Sequence, residues 1–416
     1  MDKIILRGGS ALRGEVRVQG AKNSVLPILA ATVLSSGESI IHNCPNLTDV
    51  EASLNILTHL GCRVRREGNT VTVDACGISR SDIPEELMHE MRSSIIFMGA
   101  VAARCARADM TYPGGCELGS RPVDMHIAAL RRLGYTLRED GVTISCSAGE
   151  TRGGDVYLPF PSVGATENIM LAAARCHGVT RIHNAAREPE IEDLAALLRL
   201  MGMRIAGDGT KLMELESPGA LRGAEFTVMP DRMVAATYMA CACSAGGRVC
   251  LKSVVPAHFG TVSRALEAAG CTVLEGDSEV TIERRGELIS PGSIVTAPYP
   301  AFPTDAQAPV MAALLRARGE TYFEENIFER RFRHVPELRK LGGDITVSGR
   351  TAVVRGVGEL RGAHLEATDL RGGAALVVGA LAARGESVIT ELRHIDRGYE
   401  SLTEDLSALG ADIERI

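Results

Sequence analysis

Six copies of one local pattern constrain this chain more than any other feature of it. Each is an amphipathic helix, a glycine and a short β-branched strand: "LNILTHLGCRV", "IAALRRLGYTL", "LAALLRLMGMRI", "VSRALEAAGCTV", "VPELRKLGGDI" and "LTEDLSALGADI". Their glycines are Gly61, Gly134, Gly202, Gly270, Gly342 and Gly410, spaced by 73, 68, 68, 72 and 68 residues. A glycine at that point suits a helix C-terminus, where the chain turns through positive φ before the strand begins. A second helix series interleaves with the first: "VLPILAATVL", "SSIIFMGAVAARC", "ATENIMLAAARC", "VAATYMACACSA", "APVMAALLRA" and "AALVVGALAA". These helices are apolar nearly all round and rich in Ala, Gly, Met and Leu, so they are expected to be buried on every side and to pack closely.

Each unit of about 70 residues therefore reads as strand, buried helix, strand, amphipathic helix and strand pair. Propeller blades of about 40 to 50 residues contain no helices, and helical solenoid repeats lack strand pairs. The pattern predicts an α/β fold of six repeats in two domains, helices inside and sheets outside. A chain of 416 residues exceeds what one core usually serves, which agrees with two domains of three repeats.

Composition removes whole classes of function. No apolar run approaches the ~20 residues of a bilayer span, and the start "MDKIILRGGSALRGEV" lacks a signal peptide's apolar centre, so a cytoplasmic protein with no membrane insertion is expected. Net charge is −7 with no basic tract, Trp is absent and aromatics are 4%, which argues against nucleic acid as a partner. Eleven cysteines, irregularly spaced and partly in Ala-rich runs, do not form a disulfide framework. The one tight pair, Cys241 and Cys243, points in different directions on a helix, so no zinc site is expected.

The informative polar residues fall at helix starts. Lys22/Asn23, Arg92, Ser162 to Thr166, Asp231/Arg232, Thr304/Asp305 and Asp369/Arg371 precede or open the buried helices. Asp49, Arg121/Asp124, Glu188/Glu190, Arg331/His334 and Arg397 lie near the starts of the other series. Helix N-termini favour anions, so cations there need a reason. Thr304, Asp231 and Asp369 read as ordinary N-caps. Pairing with nearby carboxylates explains less for Lys22, Arg92, Arg121, Arg331, Arg371 and Arg397; facing a common cleft, they would suit a multiply anionic small molecule. Cys116, in the turn-rich "YPGGCELGSRP", reads as an exposed thiol made reactive by Arg121. Asp305, approached through Pro298, Pro300 and Pro303, reads equally as a helix cap or a general base.

The segments "GAKNSVLPILAA", "GGCELGSRPVDMH", "PSVGATENIM", "AAREPEIEDL", "FPTDAQAP", "RFRHVPEL", "ATDLRGGAAL" and "HIDRGYE" together resemble the UDP-N-acetylglucosamine enolpyruvyl transferases, in constant register from Lys22 to Arg397. The resemblance implies a two-domain inside-out α/β barrel, with residues 22–229 in one domain and 230–416 plus 1–21 in the other. It implies transfer of the enolpyruvyl group of phosphoenolpyruvate to the 3′-hydroxyl of UDP-N-acetylglucosamine with release of phosphate, early in peptidoglycan synthesis. No metal and no cofactor are implied, and the oligomeric state is left open.

Carried over by position, the resemblance makes Cys116 the general acid, able to hold a covalent adduct, and Asp305 the base and a sugar ligand. Lys22, Arg121 and Arg397 match the phosphate contacts, and Arg331, Arg371 and Arg397 the carboxylate side. Asn23 and Arg92 match sugar-nucleotide contacts. Arg121, Pro122, Val123 and Asp124, with Ser162, Val163 and Gly164, match the loops around the uridine diphosphate, and Ile327 a further substrate contact. Phe160 and Val234 depart from the family pattern, and Arg333 is a cation that it does not require. The sister enzyme 5-enolpyruvylshikimate-3-phosphate synthase lacks the Cys116 loop and the "RPVD" and "PSVGAT" segments. A catalytically silent sugar-nucleotide-binding paralogue would not need Lys22, Cys116, Asp305 and Arg397 together.

Overall fold

All six repeat glycines adopt positive φ, from 88° at Gly134 to 121° at Gly202. Each ends an amphipathic helix, as at Pro189–Met201, where Gly202 donates its N–H to the carbonyls of Leu198 (3.1 Å) and Arg199 (3.0 Å). The computed structural model in which this is seen describes residues 2–113 and 123–416, apart from the side chain of Arg92.

Each repeat builds one four-stranded sheet of the same topology. In the first, Glu225–Thr227 runs parallel to Glu38–His42, which pairs antiparallel with Thr70–Asp74, and that strand closes a hairpin with Arg63–Glu67. In four of the sheets the parallel step spans a buried helix, as a crossover connection requires, as between Asp155–Tyr157 and Val179–His183. Strand faces alternate: Val71 and Val73 are buried, and Thr70, Thr72 and Asp74 are partly exposed.

The chain forms two compact units, residues 20–113 with 123–229 and residues 2–19 with 230–416. In the first, the remaining sheets are built on Arg107–Thr111 and Val179–His183. In the second, they are built on Gly247–Lys252, Glu320–Glu324 and Glu386–Thr390. The N-terminal strands belong to this second unit. Leu12–Arg17 is the parallel neighbour of Gly247–Lys252, and Ile4–Arg7 lies between Glu386–Thr390 and Asp412–Arg415.

The second helix series is buried as its composition demands. Every residue of Arg232–Ala245 except Ala245 is buried, and every residue of Leu370–Leu381 except Leu370. Those two helices and Thr304–Ala313 pack on one another; in the other unit Phe97–Cys105 touches both Lys22–Thr32 and Val163–Ala172. Close approach needs small residues: a Cβ on Gly99 would lie 2.5 Å from the Asn168 carbonyl oxygen. Among the described residues no helix is long and apolar enough to cross a membrane.

The glycine at the helix-to-strand turn is testable at Gly202, whose φ an L-residue rarely adopts and beside which a Cβ would meet only Pro218 at 3.7 Å. Gly202→Ala should destabilise the protein by about 1 to 3 kcal/mol through backbone strain alone. A thermal melt that matches the wild type would refute this account.

Candidate active site

The start of helix Thr304–Ala313 gathers the densest charge of its unit. No side chain caps this helix. Thr304, read from sequence as a cap, lies inside the first turn and donates its hydroxyl to the Glu325 carboxylate at 3.0 and 3.1 Å. Glu325 is buried and also accepts from the backbone N–H groups of Ile327 (2.9 Å) and Phe328 (3.0 Å). One carboxylate thus ties the helix start to the loop that leads into Arg331.

Asp305 does not cap the helix. Its Oδ1 accepts from Arg331 Nη2 at 2.9 Å and its Oδ2 from Arg371 Nε at 3.2 Å. The two arginine side chains are 2% exposed and Asp305 26%, so the carboxylate is the accessible member of the trio. Arg331 also donates to the Thr304 carbonyl at 3.2 and 3.0 Å and lies over the Phe328 ring, 5.6 Å from its centre. Arg371 opens helix Leu370–Leu381, where Asp369 caps the N–H groups of Arg371 (3.1 Å) and Gly372 (2.9 Å). Its Nη1 donates to the Tyr399 hydroxyl at 3.0 Å, which meets Thr237 Oγ1 at 2.8 Å. Burial works to lower the Arg371 pKa, but its interactions with Tyr399, Asp305 and Asp231 raise it on balance.

His334 adds no charge here. Burial and the Arg331 guanidinium push it down to about 4 against the pull of Asp369, so its Nδ1–H donates to the Arg331 carbonyl at 3.1 Å. Asp305 is the carboxylate that both guanidiniums share, and the buried carboxylates Glu325, Asp231 and Asp369 belong to the same charge cluster. Ile327 and Arg397 are partly exposed, and Arg333 is exposed.

In the other unit, Lys22 opens helix Lys22–Thr32 and pairs with Asp49 at 2.7 Å, both side chains largely buried. Asn23 beside it is exposed. Ser24 is fully buried and donates its hydroxyl to Asp193 Oδ2, which also accepts from the Met229 N–H at 3.2 Å. Burial lifts the Asp193 carboxyl to about 6, opposed by these two donors.

Ser162 caps helix Val163–Ala172, accepting from the Ala165 N–H at 3.3 Å. Val163 and Gly164 are half-buried, and a Cβ on Gly164 would lie 3.2 Å from the His126 ring. His126 Nδ1 meets Asn168 Nδ2 at 2.8 Å, which joins this helix to Asp124–Arg132. Val123 is buried and Asp124 exposed at the start of that helix. On Val163–Ala172, buried Glu167 has its carboxyl raised well above the usual range by burial, then by Glu190 and Glu188. Cys116, Arg121, Pro122 and the Arg92 side chain lie outside the described residues. Phe160 is exposed, and Val234 is packed inside its helix.

The structure thus brings Asp305, Arg331 and Arg371 together and places Lys22 against Asp49. Carboxylate pairing, set aside on sequence grounds for these three cations, is present for all of them, because a buried cation needs a counter-charge. Sequence reasoning missed Glu325 and Tyr399 as parts of the site. Tyr399 lies two residues after Arg397 in "HIDRGYE", but nothing in that spacing foretells a bond to Arg371. Glu325, in "FEEN", carries no local signal at all.

Comparison with known proteins places this geometry in context. The family described as EPSP synthase (3-phosphoshikimate 1-carboxyvinyltransferase) matches residues 6–406. UDP-N-acetylglucosamine 1-carboxyvinyltransferase 2 of Caldanaerobacter subterraneus subsp. tengcongensis is 46% identical, with 100% of both chains covered. The UDP-N-acetylglucosamine 1-carboxyvinyltransferase of Granulibacter bethesdensis is 43% identical over the same shares. Among solved structures, the enolpyruvyl transferase NikO from Streptomyces tendae superimposes with a TM-score of 0.89 at 26% identity, covering 100% of this chain and 98% of that one. EPSP synthase from Acinetobacter baumannii, at 20% identity and TM-score 0.76 over 100% and 99% of the two chains, shares the fold.

The Asp193 environment gives a pH-dependent prediction. Its folded pKa of about 6 lies above the ~3.9 of an unfolded aspartate. As pH rises from about 4 to about 6 the unfolded chain sheds this proton first, so the group's contribution to stability falls across that window. Asp193→Asn should gain on the wild type in melting temperature over that interval and keep a constant gap above about pH 7. A gap independent of pH would rule the assignment out.

Proposed function

The chain belongs to the EPSP synthase (3-phosphoshikimate 1-carboxyvinyltransferase) family, and from that premise we propose that it is a UDP-N-acetylglucosamine 1-carboxyvinyltransferase. It then transfers the enolpyruvyl group of phosphoenolpyruvate to the 3′-hydroxyl of UDP-N-acetylglucosamine and releases phosphate. The observation that carries this reading is full-length identity of 42 to 46% to several proteins of that name.

The reaction is an addition followed by an elimination. It calls for a base at the sugar hydroxyl, a proton donor at C3 of phosphoenolpyruvate, and cations for its phosphate and carboxylate. We assign the base to Asp305. Ion pairing fixes its carboxylate in orientation, and its exposure leaves lone pairs for a hydroxyl proton. A substrate carboxylate arriving at Arg331 and Arg371 would share those cations and leave Asp305 more basic. The Tyr399 hydroxyl holds the Arg371 guanidinium without competing for the anion.

We assign the phosphate to Lys22, Arg121 and Arg397, with Arg397 also on the carboxylate side, and the proton donor to Cys116. Asn23, Arg92, Ile327, the segment from Arg121 to Asp124 and the Ser162–Gly164 turn complete the proposed sugar-nucleotide contacts. Helix Val163–Ala172 presents unpaired N–H groups at that turn, which suits a diphosphate. The proposed setting is the cytoplasm.

Phosphate release should require UDP-N-acetylglucosamine as acceptor and should not occur with shikimate-3-phosphate; the reverse preference would overturn the assignment. Asp305→Asn should still bind both substrates but turn over at least about 100-fold more slowly, as for loss of a general base. Near-normal kcat would remove Asp305 from that role. Cys116→Ala should abolish covalent labelling by the epoxide fosfomycin, and labelling that persists elsewhere would identify a different thiol.

A further inference from the structure

Glu325 does more than follow a strand. It comes directly after Glu320–Glu324, its backbone N–H donates to the Arg350 carbonyl at 2.8 Å, and it is 1% exposed. Its Oε1 draws the chain back on itself, accepting from the N–H groups of Ile327 and Phe328 at 2.9 and 3.0 Å. Between them and Glu325, the Asn326 N–H donates to Thr296 Oγ1 at 3.0 Å, so the amides of this turn are all committed.

A carboxylate that served only this turn would need no partner outside it. Yet the Thr304 hydroxyl donates to both Glu325 oxygens, at 3.1 and 3.0 Å, and Thr304 opens helix Thr304–Ala313 immediately before Asp305. The Thr304 carbonyl in turn accepts from Arg331 Nε and Nη2 at 3.2 and 3.0 Å, and Arg331 follows Phe328 closely along the chain. These contacts close a ring: carboxylate to hydroxyl, carbonyl to guanidinium, and guanidinium back through the turn to the carboxylate. Thr304 is held at both its side chain and its carbonyl, and that carbonyl belongs to the peptide that leads into Asp305. An acid excluded from water is costly, and an amide could accept from the same two backbone N–H groups. An amide has no second oxygen to share the Thr304 proton, and that shared bond is the one that reaches Asp305.

We infer that Glu325 is a positioning residue of the reaction. Through Thr304 it sets the orientation of the proposed base Asp305, and through the Ile327 amide it holds a proposed sugar-nucleotide contact in the same frame. The inference rests on the enolpyruvyl transfer proposed above. A slightly misplaced base loses rate without losing affinity, whereas a displaced contact loses affinity, so kinetics separate the two arms of the clamp.

Thr304→Val takes away the hydroxyl alone. It should lower kcat at least about tenfold while both KM values stay within about twofold of the wild type, and Thr304→Ser should restore kcat. Glu325→Ala releases both arms, so it should lower kcat and also raise KM for UDP-N-acetylglucosamine at least about fivefold. The decisive measurement is Thr304→Val in the Asp305→Asn background. There it should cost less than about twofold, because its effect passes through a base that is already missing. This comparison needs no Glu325 variant and so does not depend on whether Glu325→Ala folds.

Thr304→Val turning over at the wild-type rate, or losing the same factor with and without Asp305, would overturn the inference and leave the proposed activity standing. A wild-type protein that released no phosphate from phosphoenolpyruvate and UDP-N-acetylglucosamine would instead overturn the proposed activity, and this inference with it.

Discussion

The constraint on which the rest depends is the complete burial of three short apolar helices at the centre of a unit. A helix covered on all sides must approach its neighbours closely, and here glycines stand at such approaches. Gly379 shows the tolerance: a Cβ there would lie 2.9 Å from a Leu341 methyl carbon. With the helix flanks committed to packing, only the ends are left for polar chemistry. Asp231, Asp369 and Ser162 accordingly cap such ends with side-chain oxygens; Lys22 and Asp305 stand within a residue or two of others, and Arg371 at the end that Asp369 caps.

Charge at those ends creates a second constraint. A lysine or arginine excluded from water is costly unless a carboxylate or several acceptors meet it. Lys22 has Asp49; Arg331 and Arg371 share Asp305; Arg371 has Tyr399 besides. The sharing is unequal, with two guanidiniums on one carboxylate, and it ties Arg331 and Arg371 to the same helix start. The same arrangement serves both readings of Asp305. It is an ordinary counter-ion to buried arginines, and it is a carboxylate whose basicity changes when another anion takes up part of their charge.

What the sequence disclosed follows from how local each signal is. The six glycines were legible because a helix C-terminus followed by a strand imposes positive φ whatever lies elsewhere in the chain. The all-apolar helices were legible because burial on every side leaves no polar stripe. Asp305 stood out by its proline-stiffened approach, but its partners come from residues 26 and 66 positions away, a separation that no periodicity encodes. Glu325 is further beyond reach: it looks like any acidic residue near the end of a strand, and its bond to Thr304 exists only once loop and helix start have met. Thr304 misled for the same reason, since its hydroxyl found that carboxylate in place of a cap.

Strand order carries a consequence that the repeat alone would hide. A purely tandem array would complete each sheet from its own segment, yet the first sheet takes Glu225–Thr227 from the far end of its unit. The sheet on Gly247–Lys252 takes Leu12–Arg17, and the sheet on Glu386–Thr390 takes Ile4–Arg7, both from the chain's beginning. Neither unit is therefore closed by neighbours in sequence alone. Contacts of such long separation raise the loop-closure cost of folding. A cut between residues 229 and 230 would divide the six repeats evenly and still strip the second half of a parallel edge in one sheet and an inner strand in another. The unit of organisation is the closed triplet of sheets around its helices, and the linear repeat is only the material from which that closure is made.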